Sequence, residues 1–306
     1  MPLGMFVAWC AGKSLGTSEW QLRAVNLLWV GLSGAAFGLI GKMYQSRSFF
    51  ALGILSPFLW YYANEARPYA LLICLGAWLL YFLLRLERQN EVCPRALTGL
   101  AAVSVLGFAV HALFGFVILG VAAAALPRLT PGRRQIRWRH IRPVVTGAIL
   151  LAVVAFYYMW TLKRGASGAK LWSVGFQNAA FSIYELLGFG GLGPPRHELR
   201  EIARQGGSLF DALLNPAYIG LAVLVIVYAI IAIQLVRTRP EPDLRAGLIV
   251  TVTAIAGLFA AAALARFPFW GRHLAGLLPF VLFIAWRVTT TRFRGTSKNV
   301  ILSFLF

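Results

Sequence analysis

Nine apolar runs set the fold of this 306-residue chain, at about 25–41, 48–62, 69–84, 96–112, 113–127, 143–162, 216–236, 246–264 and 273–287. Lipid offers no hydrogen-bond partner to an open backbone, so each run must satisfy its own amides as a helix. Several runs fall short of the roughly 20 residues that span a bilayer comfortably, which implies half-embedded helices or locally thinned hydrocarbon. The predicted fold class is all-α: a polytopic transmembrane helix bundle of about nine crossings, with an outer-face loop containing short interfacial helices. A mean hydropathy of +0.72, with 59% hydrophobic and 13% charged residues, excludes an ordinary soluble domain. No period of 20–50 residues repeats, which argues against a solenoid.

The runs divide residues 1–306 as a single membrane domain. Residues 1–24 form an outer-face interfacial segment, 25–162 hold six crossings, and 163–215 make an outer loop. Three crossings follow in 216–287, and 288–306 form a cytoplasmic tail with the start of an incomplete crossing. The stretch 1–11 has no basic region and no small-residue cleavage site, so no cleavable signal is expected.

The net charge of +19 sits in short loops between apolar runs, without a basic helix or an aromatic-studded soluble domain. Nucleic acid is therefore not an expected partner, whereas membrane lipids are. One set of loops carries 18 Lys and Arg residues and the other carries 11, six of these in the long loop 163–215. Basic loops favour the cytoplasm, which places 163–215 and the turns around residues 65 and 270 outside. The predicted location is the cell inner membrane, as a multi-pass protein. The basic stretch Arg133-Arg134-Gln135-Ile136-Arg137-Trp138-Arg139-His140 reads as a topogenic loop against anionic lipid.

Cys10, Cys74 and Cys93 are scattered and unaccompanied by histidines at ligand spacing, so reduced thiols are expected and a metal site is not. Gly188-Phe189-Gly190-Gly191-Leu192-Gly193 satisfies a dinucleotide-binding spacing but lacks the flanking strand and helix, so it reads as a hinge. After Pro194-Pro195, Leu199, Ile202 and Ala203 share one face of a short amphipathic segment, either a scaffold or a lid. Glu241-Pro242-Asp243 lies between basic residues on a cytoplasmic turn and reads as solvated.

Chemistry concentrates in Asn64-Glu65-Ala66-Arg67-Pro68-Tyr69, where two opposite charges interrupt otherwise continuous apolar sequence. Ionisable groups at such a depth are costly and mark functional sites. Pro68 suits the start of the following helix, where no backbone N–H is needed. His111 stands near the outer end of its crossing, on the same face as Arg67, as either a packing residue or a site residue. Arg266-Phe267-Pro268-Phe269-Trp270-Gly271-Arg272-His273 gathers three potential cations in one outer turn. Such a turn either receives a phosphate through arginine forks or anchors at the interface through Trp270 and snorkelling arginines.

Ser56-Pro57-Phe58-Leu59-Trp60-Tyr61-Tyr62-Ala63-Asn64-Glu65-Ala66-Arg67-Pro68-Tyr69-Ala70-Leu71 resembles the signature of membrane glycosyltransferases of the GT-C architecture. The branch it is similar to includes protein mannosyltransferases and lipid A aminoarabinose transferases. Pro2-Leu3, then Leu15-Gly16-Thr17-Ser18-Glu19-Trp20 and Arg23, resembles the segment leading into that family's second crossing. Trp270-Gly271-Arg272-His273 ahead of Pro279 is similar to its later arginine-aromatic turn.

The resemblance implies a polyprenyl-phosphate sugar donor, a glycan, lipid or protein acceptor in the cell envelope, and transfer at the outer face. It gives Glu65, Arg67, Tyr69, His111, Arg266, Arg272 and His273 as substrate-binding residues, with Lys163 as a further cation. It makes no cofactor certain and is compatible with a divalent cation. In the family the catalytic carboxylate precedes the Pro-Leu segment with which this chain begins. The expectation is that this chain lacks the first crossing and that acidic loop, ends within an unfinished crossing, and has little transferase activity alone. The competing readings are a transporter or flippase for an amphiphilic anion and a non-catalytic membrane subunit.

Overall fold

A computed structural model describes residues 2–65, 67–89, 93–129, 138–165, 176–187, 193–194, 198, 201–202, 205, 216–237, 239–267, 270–293 and 295–305. Among them there are helices and turns and no strand. The helices are α1 (Pro2–Leu15), α2 (Glu19–Met43), α3 (Ser48–Leu55), α4 (Pro57–Ala63), α5 (Tyr69–Arg88), α6 (Pro94–Val110) and α7 (Gly115–Leu129). After these come α8 (Trp138–Gly165), α9 (Phe176–Leu186), α10 (Ile219–Arg237), α11 (Pro242–Ala265), α12 (Leu278–Arg292) and α13 (Gly295–Leu305). Short 3₁₀ turns cover Ala112–Phe114, Pro216–Tyr218 and Gly271–Leu277.

The chain is an all-α polytopic transmembrane bundle, with seven helical stretches among the described residues long and apolar enough to cross a membrane. Two of the nine expected crossings differ from these seven. α6 stops at 17 residues, and the run 48–62 is broken into α3 and α4. The break falls at Ser56, whose successor Pro57 disfavours helical backbone in the residue before it. α2 begins at Glu19 rather than near residue 25, because Ser18 and Gln21 form a reciprocal capping box. α1 packs on α2 and α6 while Met5, Phe6 and Trp9 stay exposed, as suits an interfacial segment.

α5 is the axis of the bundle, most of its side chains being buried among α2, α6, α7, α11 and α12. Because lipid tails are as apolar as leucine, helices in a bilayer associate through close packing rather than by hydrophobic exclusion. Glycines permit that closeness here. A methyl group on Gly76 would fall on the carbonyl oxygen of Gly276, so α5 and the 3₁₀ turn meet backbone to backbone. α7 and α11 cross the same way, where a Cβ on Gly120 would crowd the backbone of Val250. α8 and α10 instead leave most of their apolar side chains outward, the pattern of a lipid-facing rim.

At the end of the bundle where α2 stops, two cations pack against Tyr44. The guanidiniums of Arg88 and Arg287 stand 4.5 Å and 4.7 Å from its ring centroid, and its hydroxyl donates to Asp243 Oδ2 at 2.5 Å. Arg287 also pairs with Glu241 and lies 3.4 Å from Asp243. Nearby, Trp286 Nε1 donates to Ser48 Oγ at 2.8 Å. Asp243 is only 8% exposed, so the expectation of a solvated acidic turn at 241–243 is corrected for Asp243, while Glu241 and Pro242 are exposed.

Candidate functional site

The opposite end of the bundle collects α2's start, the turn 64–68, the end of α6, α9 and the 3₁₀ turn Gly271–Leu277. Asn26, buried within α2, fixes the turn by donating to the carbonyls of Ala63 at 3.0 Å and Glu65 at 2.6 Å. α5 then starts at Tyr69, with Pro68 in the preceding position. Tyr69 is buried against Tyr62, the ring centroids 5.2 Å apart and nearly perpendicular. Both Glu65 and Glu185 lie within electrostatic reach of the Tyr62 hydroxyl.

Arg272 approaches from the other side. Its guanidinium carbon is 6.0 Å from the Tyr69 ring centroid and 5.5 Å from that of Trp270. The neighbouring Gly271 N–H donates to Glu185 Oε2 at 2.8 Å, which ties α9 over the turn. His273 Nδ1 accepts the Trp270 N–H at 3.2 Å, and His111 Nδ1 accepts the Leu113 N–H at 3.2 Å. With the two rings centred 5.8 Å apart, these bonds direct the remaining nitrogen, Nε2, of each imidazole to other partners.

Two atoms in this cluster are buried without a hydrogen-bond partner among the described residues, Glu65 Oε2 and Arg272 Nε. They carry opposite charge, Glu65 within electrostatic reach of Tyr62 and Arg272 beside Tyr69. A buried, unpaired polar atom of a charged group costs on the order of 1–3 kcal/mol or more, so each calls for an explanation; Arg23 Nε, Gln89 Oε1 and Arg287 Nε share this condition elsewhere in the bundle.

Five of the seven expected binding residues therefore come together: Glu65, Tyr69, His111, Arg272 and His273. Two do not join them. Arg67 is exposed and lines a narrow slot between α1 and α2, beside Gly4, Val7, Asn26 and Trp29. Arg266 is exposed at the C-terminal cap of α11, in left-handed backbone with φ 50° and ψ 42°. The Lys163 side chain, the glycine run 188–192 and most of the amphipathic stretch after residue 194 lie outside the described residues.

Three participants were not singled out from sequence. Tyr62 and Asn26 look like ordinary members of apolar helices, and only the fold brings them to the turn. Glu185 had a local signal, since a carboxylate in an otherwise apolar stretch is costly without a partner. Among the described residues no group of three or more His, Cys, Asp or Glu side chains is placed to hold a metal ion.

No family model matches this chain, no curated protein matches it, and no solved structure matches its fold.

Proposed function

We propose that this chain is the membrane body of a glycosyltransferase that takes a sugar from a polyprenyl-phosphate donor at the outer face. The observation that carries the reading is the pair of unpartnered buried atoms, Arg272 Nε and Glu65 Oε2, beside two tyrosines packed edge to face. A donor of this class presents an anionic phosphate at headgroup depth and a long apolar tail below it. An arginine fork supplies planar donors matched to phosphate oxygens, and it does so most strongly where water is scarce.

In the transfer, an acceptor oxygen attacks the anomeric carbon while the bond from that carbon to the phosphate oxygen breaks. The phosphate leaves with the electron pair, and fixed cations lower the energy of that charge as it develops. Arg272 is assigned that role. Glu65 is assigned to a hydroxyl of the sugar or of the acceptor, since a carboxylate beside phosphate would oppose binding. His111, with its Nδ1 occupied by the Leu113 N–H, offers its Nε2 as a donor to a further oxygen. Arg67 belongs to the neighbouring slot, where a cation at the mouth of an apolar groove suits the same amphiphilic molecule. The residue that accepts the acceptor's proton is left unassigned.

Binding tests this without requiring turnover. Protein in lipid nanodiscs should bind farnesyl phosphate more tightly than farnesol, which has the same tail and no phosphate. Arg272→Gln should remove most of that preference, about tenfold in Kd. Equal affinity for the two compounds, or a preference unchanged in Arg272→Gln, would overturn the assignment.

A further inference from the structure

A second cleft opens at the same end of the bundle, between the first turn of α2 and the end of α4. Its volume is about 420 Å³, within the roughly 300–1,000 Å³ of small-molecule sites. Ser18, Glu19, Trp20, Arg23, Trp60 and Asn64 supply its polar and aromatic lining. We propose that this cleft binds a neutral saccharide of about two rings.

The geometry carries this in three steps. First, the platforms are aromatic and available: Trp20 is 72% exposed and Trp60 is 41% exposed. The Trp60 indole N–H is already spent on the Ile54 carbonyl at 2.6 Å. That bond fixes the indole and leaves its π-face as the feature it offers, which suits stacking on the C–H face of a pyranose.

Second, the polar groups are paired donors and acceptors at fixed spacing. Glu19 and Arg23 form an ion pair one helical turn apart, presenting carboxylate and guanidinium edges side by side. Asn64 Nδ2 donates to the Trp60 carbonyl at 3.1 Å, which orients the carboxamide with its oxygen left as an acceptor. Adjacent hydroxyls on a sugar ring both donate and accept, and need this mixed lining. Third, the charges of Glu19 and Arg23 cancel. A phosphate would find no net attraction here, in contrast to the surroundings of Arg272.

The elements that build the cleft also hold it still. The Ser18–Gln21 capping box sets where α2 starts, and so where residues 19, 20 and 23 project. Ala63 and Asn64 adjoin Glu65, so the cleft opens beside the proposed transfer site. As a foothold for the sugar-bearing substrate it rests on the transferase reading. As a saccharide cleft it stands on its own lining.

The experiment uses the full chain in nanodiscs, titrated with cellobiose, chitobiose and mannobiose and followed by saturation-transfer NMR and tryptophan fluorescence. A parallel arm incorporates the same disaccharides as octyl glycosides, to separate a free glycan from a lipid-linked one. At least one disaccharide should bind saturably, in free or glycoside form. Trp20→Ala should weaken it by about tenfold, while Trp20→Phe, which keeps a ring, should retain most of the affinity. Farnesyl phosphate binding should be unchanged in Trp20→Ala, which separates failure here from failure of the Arg272 assignment. No saturable binding by any of the three sugars in either form would overturn the proposal, and so would affinity unaffected by Trp20→Ala.

Discussion

At Tyr44 two guanidiniums stand against one ring, and the hydroxyl donates a hydrogen bond to a buried carboxylate. Burial first, then the bond to Asp243, holds its phenol well above the ordinary value of 10.0. The folded chain keeps this proton where the unfolded chain loses it. The resulting stabilisation is complete below pH 10 and is lost as the pH climbs toward the folded value. Thermal unfolding should therefore steepen with alkalinity above pH 10 more in the native protein than in Tyr44→Phe, and parallel curves would contradict this. Asp243→Asn strips Arg287 and Tyr44 of a shared acceptor at a buried position. A loss of about 2 kcal/mol is expected in reversible denaturant titration of the reconstituted protein. None of this was legible locally, because the Tyr44 partner lies 199 residues from Asp243 and a Glu-Pro-Asp turn among arginines looks hydrated. The turn 64–69 was legible, since its charges interrupt apolar sequence and their cost there is a local fact.

Between helices, legibility depends on whether the signal is carried by one segment or by two. Pro57 and the Ser18–Gln21 box are single-segment signals, and they account for the broken run 48–62 and the early start of α2. The contact between Gly76 and Gly276 is a two-segment fact, since neither glycine reveals its partner in sequence. It predicts that Gly76→Ala will separate α5 from the 3₁₀ turn and displace Arg272 from Tyr69. The expected readout is a lowered unfolding midpoint together with weaker farnesyl phosphate binding; a midpoint and affinity equal to the native values would show that the two backbones are free to part. The pairing of His111 with His273 is of the same kind. Each imidazole sits in its own tight turn, and the packing of α5, α6 and the 3₁₀ turn brings the rings together.

For the molecule as a whole, the apolar runs made the helical bundle readable, because lipid leaves a spanning backbone so few alternatives. Which end faces outward rests on the distribution of Lys and Arg, and it can be measured. In a background with Cys10, Cys74 and Cys93 replaced, Thr17→Cys should react with an impermeant maleimide in intact cells. Thr296→Cys, beyond the Tyr44 end, should react only after permeabilisation, and the reverse pattern would invert the assigned faces. The frame between those faces is stiff. Two struts, α5 and the continuous stretch Gly271–Arg292, each plant one foot by the paired tyrosines and the other at the Tyr44 ring, through Tyr69 with Arg88 and through Arg272 with Arg287. α5 spans about 30 Å at roughly 1.5 Å per residue. Keyed together where their main chains touch, these struts resist sliding along their length, because an axial slip would unseat a guanidinium at either extremity. In the proposed donor complex, a pull on Arg272 should therefore load the seat of Arg287 at the far end of the bundle.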